Sequence, residues 1–311
     1  MAADMIKRYI EKNIVSDIKD KMVFISGPRQ VGKTTLAKNI GTEYYPGKYE
    51  YLNWDNREDR KTILNGILKP DRQLFIFDEI HKYKNWKNYL KGEFDKHKEQ
   101  FNILVTGSSR LDMYRKSGDS LLGRYRHYRL HPLSVAELSG TRGSSITPFM
   151  ELIFPEEEMK QREYYNTLFK FGGFPEVFVK KSEKALRLWH NARTDIIVKE
   201  DIRDIESIRD LSALQILIEL LPAKVGSLFS INSLREDLNV THKTLALWID
   251  VLEKFYYHYR IYPFQTTIVK SLRKEPKLYL WDWSEITDEE VRLENIVASH
   301  LLKFSQFLFD G

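Results

Sequence analysis

One short stretch limits what this 311-residue chain can fold into more than any other. It is Gly27-Pro28-Arg29-Gln30-Val31-Gly32-Lys33-Thr34, set between the apolar run Met22-Val23-Phe24-Ile25-Ser26 and the segment Thr35-Leu36-Ala37-Lys38-Asn39-Ile40. Strand, then G-x-x-x-x-G-K-[ST], then helix is the arrangement of a phosphate-binding loop, and both flanks supply the context that the motif demands. Glycines are required because the backbone must wrap a polyphosphate with successive N–H groups turned inward, beside the positive end of a helix. On this reading residues Gly27 to Thr35 cradle ATP, Lys33 meets the β- and γ-phosphates, and Thr34 meets Mg²⁺. The plainer reading is a Gly-Pro turn followed by a solvated lysine. The agreement of strand, spacing and helix favours the loop.

A second motif follows in Leu74-Phe75-Ile76-Phe77-Asp78-Glu79. Four apolar residues before two acids read as a strand buried on both faces, as in a parallel sheet, and ligands bind at the carboxyl ends of such strands. Asp78 is then placed to hold Mg²⁺ and Glu79 to orient or deprotonate the attacking water. The alternative is a helix cap. Phe101 to Thr106 is another buried strand, ending in Gly107-Ser108-Ser109-Arg110. Ser108 there serves either as a hydrogen-bond partner of the γ-phosphate or water, or as an N-cap; both readings stand. Leu121-Leu122-Gly123-Arg124 precedes a fifth strand over Tyr125 to Leu130.

Around these motifs the spacing predicts an opening amphipathic helix carrying Ile6, Tyr9, Ile10, Ile14 and Ile18, a strand over Tyr49 to Asn53, and helices over Asp55 to Leu68 and Asn85 to Lys98. The length favours two or three domains. The absence of cysteine excludes disulfides, thiol nucleophiles and thiolate zinc sites. No run has signal-peptide or bilayer-spanning character, so a cytoplasmic protein without a membrane partner is expected. A net charge of +5 is small for the length and weighs little for or against nucleic acid.

The ordered series Gly-Pro-Arg-Gln-Val-Gly-Lys-Thr, Phe-Asp-Glu-Ile (77–80), Thr-Gly-Ser-Ser (106–109), Ser-Leu-Leu-Gly-Arg (120–124) and His-Pro-Leu-Ser-Val-Ala-Glu-Leu (131–138) resembles the AAA+ P-loop ATPases of archaea and bacteria. Members of that family join such a core to a C-terminal region of unknown function. Gly172-Gly173-Phe174-Pro175-Glu176, Asp201-Ile202-Arg203-Asp204 and Leu293-Glu294-Asn295 resemble that region. The resemblance implies a nucleotide sensor within Thr106 to Ser109. It also implies an arginine finger at Arg124 reaching a neighbouring subunit's nucleotide, hence a homo-oligomer, with Arg110 as the fallback. An ion pair bracing the loop before the strand is the other role open to Arg124.

Gly140 to Pro148 reads as a linker. Beyond it, Glu151 to Phe171 and Ser182 to Asp204 are helical by pattern and stand, by analogy, for the lid over the nucleotide. Arg187, Arg193, Arg203 and Arg209 are equal candidates for a second sensor. Leu211 to Leu221 is a helix. Ser233 to Leu238, a turn at Asn239, Thr241 to Phe255 and a β-rich Tyr256 to Phe264 have the rhythm of a winged helix. Lys243 and Arg260, with Lys270 and Arg273, are then the phosphate-contact candidates if DNA is the partner. A protein partner or internal packing suits the same module, since its longer helix is rich in Leu and Trp. A strand over Lys277 to Trp283 and a helix from Asp288 to about Leu302 follow. Asp282, Glu285, Asp288, Glu289 and Glu290 read as helix-start and surface acids. Family members usually continue into a nuclease-like segment; either this chain is truncated or the segment is absent, and nuclease activity receives no support.

The expected class is therefore α/β, a parallel AAA+ sheet with flanking helices followed by a helical lid and a winged helix. The segments are 1–140 (ATPase core), 141–222 (lid), 223–266 (winged helix) and 267–311 (C-terminal strand and helix). The expected function is Mg²⁺-dependent ATP binding and hydrolysis coupled to domain movement, acting on DNA or a protein. The alternative is a slow ATP-controlled binding switch. A small-molecule kinase is a third reading, opposed by the adjacent acids Asp78 and Glu79, which suit water activation.

Overall fold

The computed structural model describes residues 6–107, 121–140, 158–198, 210–265, 267 and 274–309. They gather into two compact units, Met1–His131 with Lys303–Gly311, and Pro132–Leu302. This partition is coarser than the four segments read from sequence. Ser108, Ser109, Arg110, Arg203, Arg209, Lys270, Arg273, the Asp201 to Asp204 motif and the linker beyond Gly140 lie outside the described residues.

The first unit is built on five strands: β1 (Met22–Ser26), β2 (Tyr49–Asn53), β3 (Leu74–Asp78), β4 (Asn102–Thr106) and β5 (Tyr125–Arg129). All four pairings are parallel and the order is β2-β3-β4-β1-β5. Every residue of β1 and β3 is buried, as their unbroken apolar runs require of a parallel sheet covered on both faces. The helices are α1 (Glu11–Asp17), α2 (Lys33–Tyr44), α3 (Arg57–Asn65) and α4 (Trp86–His97). Phe24, Phe75, Phe77, Ile80, Trp86, Leu90 and Val105 form one core cluster with Met22, Leu52, Ile63, Ile103 and Leu121.

Two elements are shorter than their periodicity. The apolar stripe Ile10, Ile14 and Ile18 is buried, but regular helix covers only α1. Ahead of it the buried Arg8 donates to Val31 O at 2.8 Å and to His131 O, and this pins the chain in a turn. In α3, Asn56 accepts from the N–H groups of Glu58 and Asp59, and Gly66 closes the helix at φ 63°. Asp55 and Leu68 therefore fall outside it.

The second unit holds α5 (Val135–Ser139), α6 (Glu158–Phe171), α7 (Pro175–Lys180), α8 (Glu183–Ile196), α9 (Leu211–Leu220), α10 (Ile231–Leu238) and α11 (His242–Lys254). Strands β6 (His258–Ile261) and β7 (Lys277–Leu280) pair antiparallel, and α12 (Glu289–Phe309) ends the described chain. Asn239 closes α10 in the left-handed region at φ 52°, and Thr241 caps α11 by accepting from Thr244 N.

The glycine pair is explained by what it touches. Gly172 has φ 79°, and a Cβ there would lie 2.7 Å from Asp282 Oδ1; a Cβ on Gly173 would lie 2.6 Å from the Trp283 ring. The segment Phe171 to Pro175 thus packs directly on the turn Trp281 to Glu285. Asn295 likewise mimics a strand partner, accepting from Leu280 N at 2.8 Å and donating to Leu280 O at 2.9 Å.

Two of the acids assigned to the surface are interior. Asp282 is fully buried and accepts from Trp189 Nε1 at 2.6 Å and Ser284 Oγ at 2.6 Å. Glu285 lies beside it, accepting from the buried Tyr257 hydroxyl at 2.7 Å. Sequence placed them by their position near a helix start; the aromatic residues around them, Trp281 and Trp283, carry the turn inward. Asp288 does cap α12, accepting from Glu290 N and Val291 N.

Burial pushes the Glu285 carboxyl up to about 7, with Arg193 opposing and Asp282 reinforcing the rise. The folded value lies above the ordinary 4.5, so the folded state binds more protons between the two. Stability is therefore greatest below the ordinary value and falls as pH rises through the folded one. Glu285→Gln is expected to remove this slope, on the order of 2–3 kcal/mol between pH 4.5 and 8. Urea melts across that range check it. An unaltered slope would refute the assignment.

Candidate active site

The strand order reverses beside β1: the chain leaves β1 for the far edge, returns through β3 and β4, then crosses to β5. In open α/β sheets the crevice at the carboxyl ends of the strands at such a point is where ligands bind. The loop from Gly27 to Gly32 leaves β1 at that end. Gly27 has φ 140°, and a Cβ on it would lie 2.4 Å from Leu130 O, so any side chain there collides with backbone. Gln30 at φ 60° and Gly32 at φ 101° complete a turn with three left-handed residues. Gly32 makes no side-chain cap for α2, and the first turn of α2 carries no acid. Its N–H groups and dipole face the loop with no acid of its own first turn against them.

Lys33 is buried and its ammonium lies across the loop, donating to Gly27 O at 2.9 Å and Pro28 O at 2.7 Å. Thr34 Oγ1 donates to Asp78 Oδ2 at 2.9 Å. The buried Asp78 carboxylate also accepts from Tyr51 OH at 2.6 Å and from Thr106 Oγ1 at 2.6 Å. Glu79 leaves β3 in the left-handed region, φ 55°, with its N–H bonded to Thr106 O at 3.0 Å. Its carboxylate lies 3.5 Å from Lys82 Nζ and 3.6 Å from His81 Nε2. Burial pushes the Glu79 carboxyl up. Lys82 pulls it down, Asp78 raises it, and Lys33 and Arg29 on the loop lower it further. Glu79 thus feels the charge of the loop cations.

The loop, Lys33, Thr34, Asp78, Glu79 and Thr106 are therefore brought together at one end of the sheet. Arg124 is not among them. Arg124 O accepts from Met22 N at the start of β1, at the amino end of the parallel strands, and its guanidinium grips Asp95 of α4 through two bonds of 2.7 and 3.0 Å. Tyr51, Arg8, His81 and Lys82 were not singled out from sequence. A tyrosine inside a short strand carries no motif, and an arginine among isoleucines reads as the solvated face of a helix.

The oxygen donors of Thr34 and Asp78 suit Mg²⁺, a hard cation that pairs one or two carboxylates with substrate phosphates. Among the described residues no group of three or more His, Asp or Glu forms an all-protein cage. No described helix is long and apolar enough to cross a membrane.

Comparison with known proteins bears on both units. Residues 162–284 match a domain of unknown function, DUF8612. The uncharacterized protein MJ1544 of Methanocaldococcus jannaschii is 28% identical over 70% of this chain and 49% of its own length. The uncharacterized MJ1637 of the same organism is 25% identical over 97% of this chain and 72% of its own. The chain thus spans about half the length of the first relative. The RuvB branch migration motor of Thermotoga maritima superposes at a TM-score of 0.38 and 20% identity, over 87% of this chain and 96% of that one. At that level the likeness adds nothing to what the sheet order shows. Residues 19–139, which hold the loop, both acids and all five parallel strands, match an AAA domain.

Proposed function

We propose that this chain binds ATP with Mg²⁺ through its first unit and hydrolyses it, coupling nucleotide state to the second unit. The observation that carries the reading is the Thr34–Asp78 hydrogen bond. It joins the two metal-binding oxygens across α2 and β3, at the mouth of the glycine cradle. When bound, Mg²⁺ supplies charge neutralisation at the β- and γ-phosphates. Lys33 exchanges the carbonyls of Gly27 and Pro28 for phosphate oxygens. Glu79 takes a proton from water as the water oxygen attacks the γ-phosphorus and the bond to ADP breaks.

The direct test is a thermal melt. ATP with Mg²⁺ at about 100 times Kd is expected to stabilise the protein by about 2.7 kcal/mol. Lys33→Ala should abolish that shift. An unshifted wild-type melt overturns the reading.

Arg124 is read as a finger acting in trans, held by Asp95 until a neighbour's nucleotide site presents a stronger anion. ATPase rate per subunit is then expected to rise with protein concentration. Arg124→Ala should lower it by a factor on the order of 10³, with rescue on mixing with Lys33→Ala. A flat, unaffected profile leaves Arg124 as a brace of α4.

In the second unit, α9, α10, α11 and the β6–β7 ribbon follow the order of a winged helix, with Leu228 bridging Lys277 as a third short edge. Lys243, exposed in the first turn of α11, is the phosphate-contact candidate that remains among the described residues. Arg260 is committed elsewhere: it donates to Glu253 at 2.8 Å and to Asp250 at 2.7 Å.

A further inference from the structure

Asp78 carries more hydrogen bonds than a metal ligand needs for burial alone. A carboxylate offers about four lone-pair sites. Here Thr106 occupies one on Oδ1, and Thr34 and Tyr51 share Oδ2. The Thr34 and Thr106 contacts follow from the ends of α2 and β4. Tyr51 comes from further off, inside the edge strand β2 at the level of Ile76, while Asp78 pairs with Asn53. Residues two apart on a strand share a face, so Tyr51 and Asn53 point to the same side as Ile76 and Asp78. A tyrosine is long enough to reach along that face to the carboxylate.

The ring is held from the other side. Lys38 Nζ sits 3.9 Å from the Tyr51 ring centroid. Lys38 lies one turn beyond Thr34 on α2, so the two side chains share a helix face. The contacts close a circuit: Thr34 to Asp78, Asp78 to Tyr51, Tyr51 to Lys38, and Lys38 back along α2 to Thr34.

Resting on the ATP reading above, we propose that Tyr51 is a positioning residue for the divalent cation. Its hydroxyl fixes the rotamer in which Asp78 faces Thr34 and the cradle. Groups that orient metal ligands in this way are worth about 10–100-fold in metal affinity.

The test is Tyr51→Phe, which removes one hydroxyl from a half-buried ring on an edge strand. The nucleotide-free melt checks that the fold is kept. A fluorescent ATP analogue is titrated first without metal and then against Mg²⁺. The variant is expected to bind the metal-free analogue as the wild type does, and to need about tenfold more Mg²⁺ for half-saturation. Lys38→Gln keeps the hydroxyl but loosens the ring, and should raise the Mg²⁺ requirement by clearly less than Tyr51→Phe does.

An unshifted requirement in Tyr51→Phe, or an equal shift in Lys38→Gln, overturns the proposal while leaving the ATP reading intact. A wild type that binds no analogue in either condition sinks both.

Discussion

Glu79→Gln is expected to bind ATP as the wild-type protein does and to turn it over about 10²–10⁴-fold more slowly, the range that a positioned general base contributes. The expectation follows from where the side chain sits. Glu79 adjoins Asp78, yet only Asp78 is bonded to Thr34, and on the proposed reading this divides the two acids into a metal ligand and a base. The left-handed backbone at Glu79 is costly for a residue with a side chain, by about 1–3 kcal/mol. It turns the carboxylate away from the strand direction and toward the charges of Lys33, Arg29 and Lys82. Glutamine keeps the shape and loses the proton acceptor. Single-turnover phosphate release together with nucleotide affinity separates the two effects. Wild-type turnover in Glu79→Gln would falsify the base assignment, and lost binding would move Glu79 into the cradle.

The largest stability effect is expected from Arg193→Ala, in the second unit. Its guanidinium is buried 3.9 Å from Asp282 Oδ2 and 3.7 Å from Glu285 Oε1, donates to Tyr256 O at 3.0 Å, and lies 4.4 Å from the Phe174 ring centroid. Removing it leaves the buried Asp282 carboxylate and the largely buried Glu285 carboxylate without the cation they share. Breaking such a group from one side costs on the order of 3–5 kcal/mol, a fall of roughly 6–20 °C in Tm for a unit of this size. The loss should be smaller at pH 6 than at pH 8, because Glu285, already pushed up by burial, escapes the repulsion by taking a proton. Calorimetry at both pH values reads the difference. A change under about 1 kcal/mol would show that the arginine is no more than a solvated surface group.

Arg193 also shows why some roles stayed hidden in the sequence. It stood level with Arg187, Arg203 and Arg209, since on a charged helix every arginine has the same appearance. Only α8 packing against the Phe171 to Pro175 and Trp281 to Glu285 turns separates the buried one from exposed Arg187. Arg260 repeats the lesson: as a strand cation it suits phosphate, but Glu253 lies within reach on the preceding helix and Asp250 one turn earlier.

What the sequence by itself determined was local and periodic. The inner strands β1, β3 and β4 stand within a residue of their apolar runs, because a strand buried on both faces has to be written as an unbroken one. The loop stood out because glycines at positive φ next to a lysine at a helix start have few other uses. What only the tertiary structure decided was which distant groups share a carboxylate. Tyr51 on Asp78, Arg8 on Val31, Asp95 on Arg124 and Arg193 between two acids are all set by strand order and helix packing. Pairings between residues far apart in the chain leave no periodic trace. Their partners are chosen when apolar faces close and polar groups caught inside must find one another.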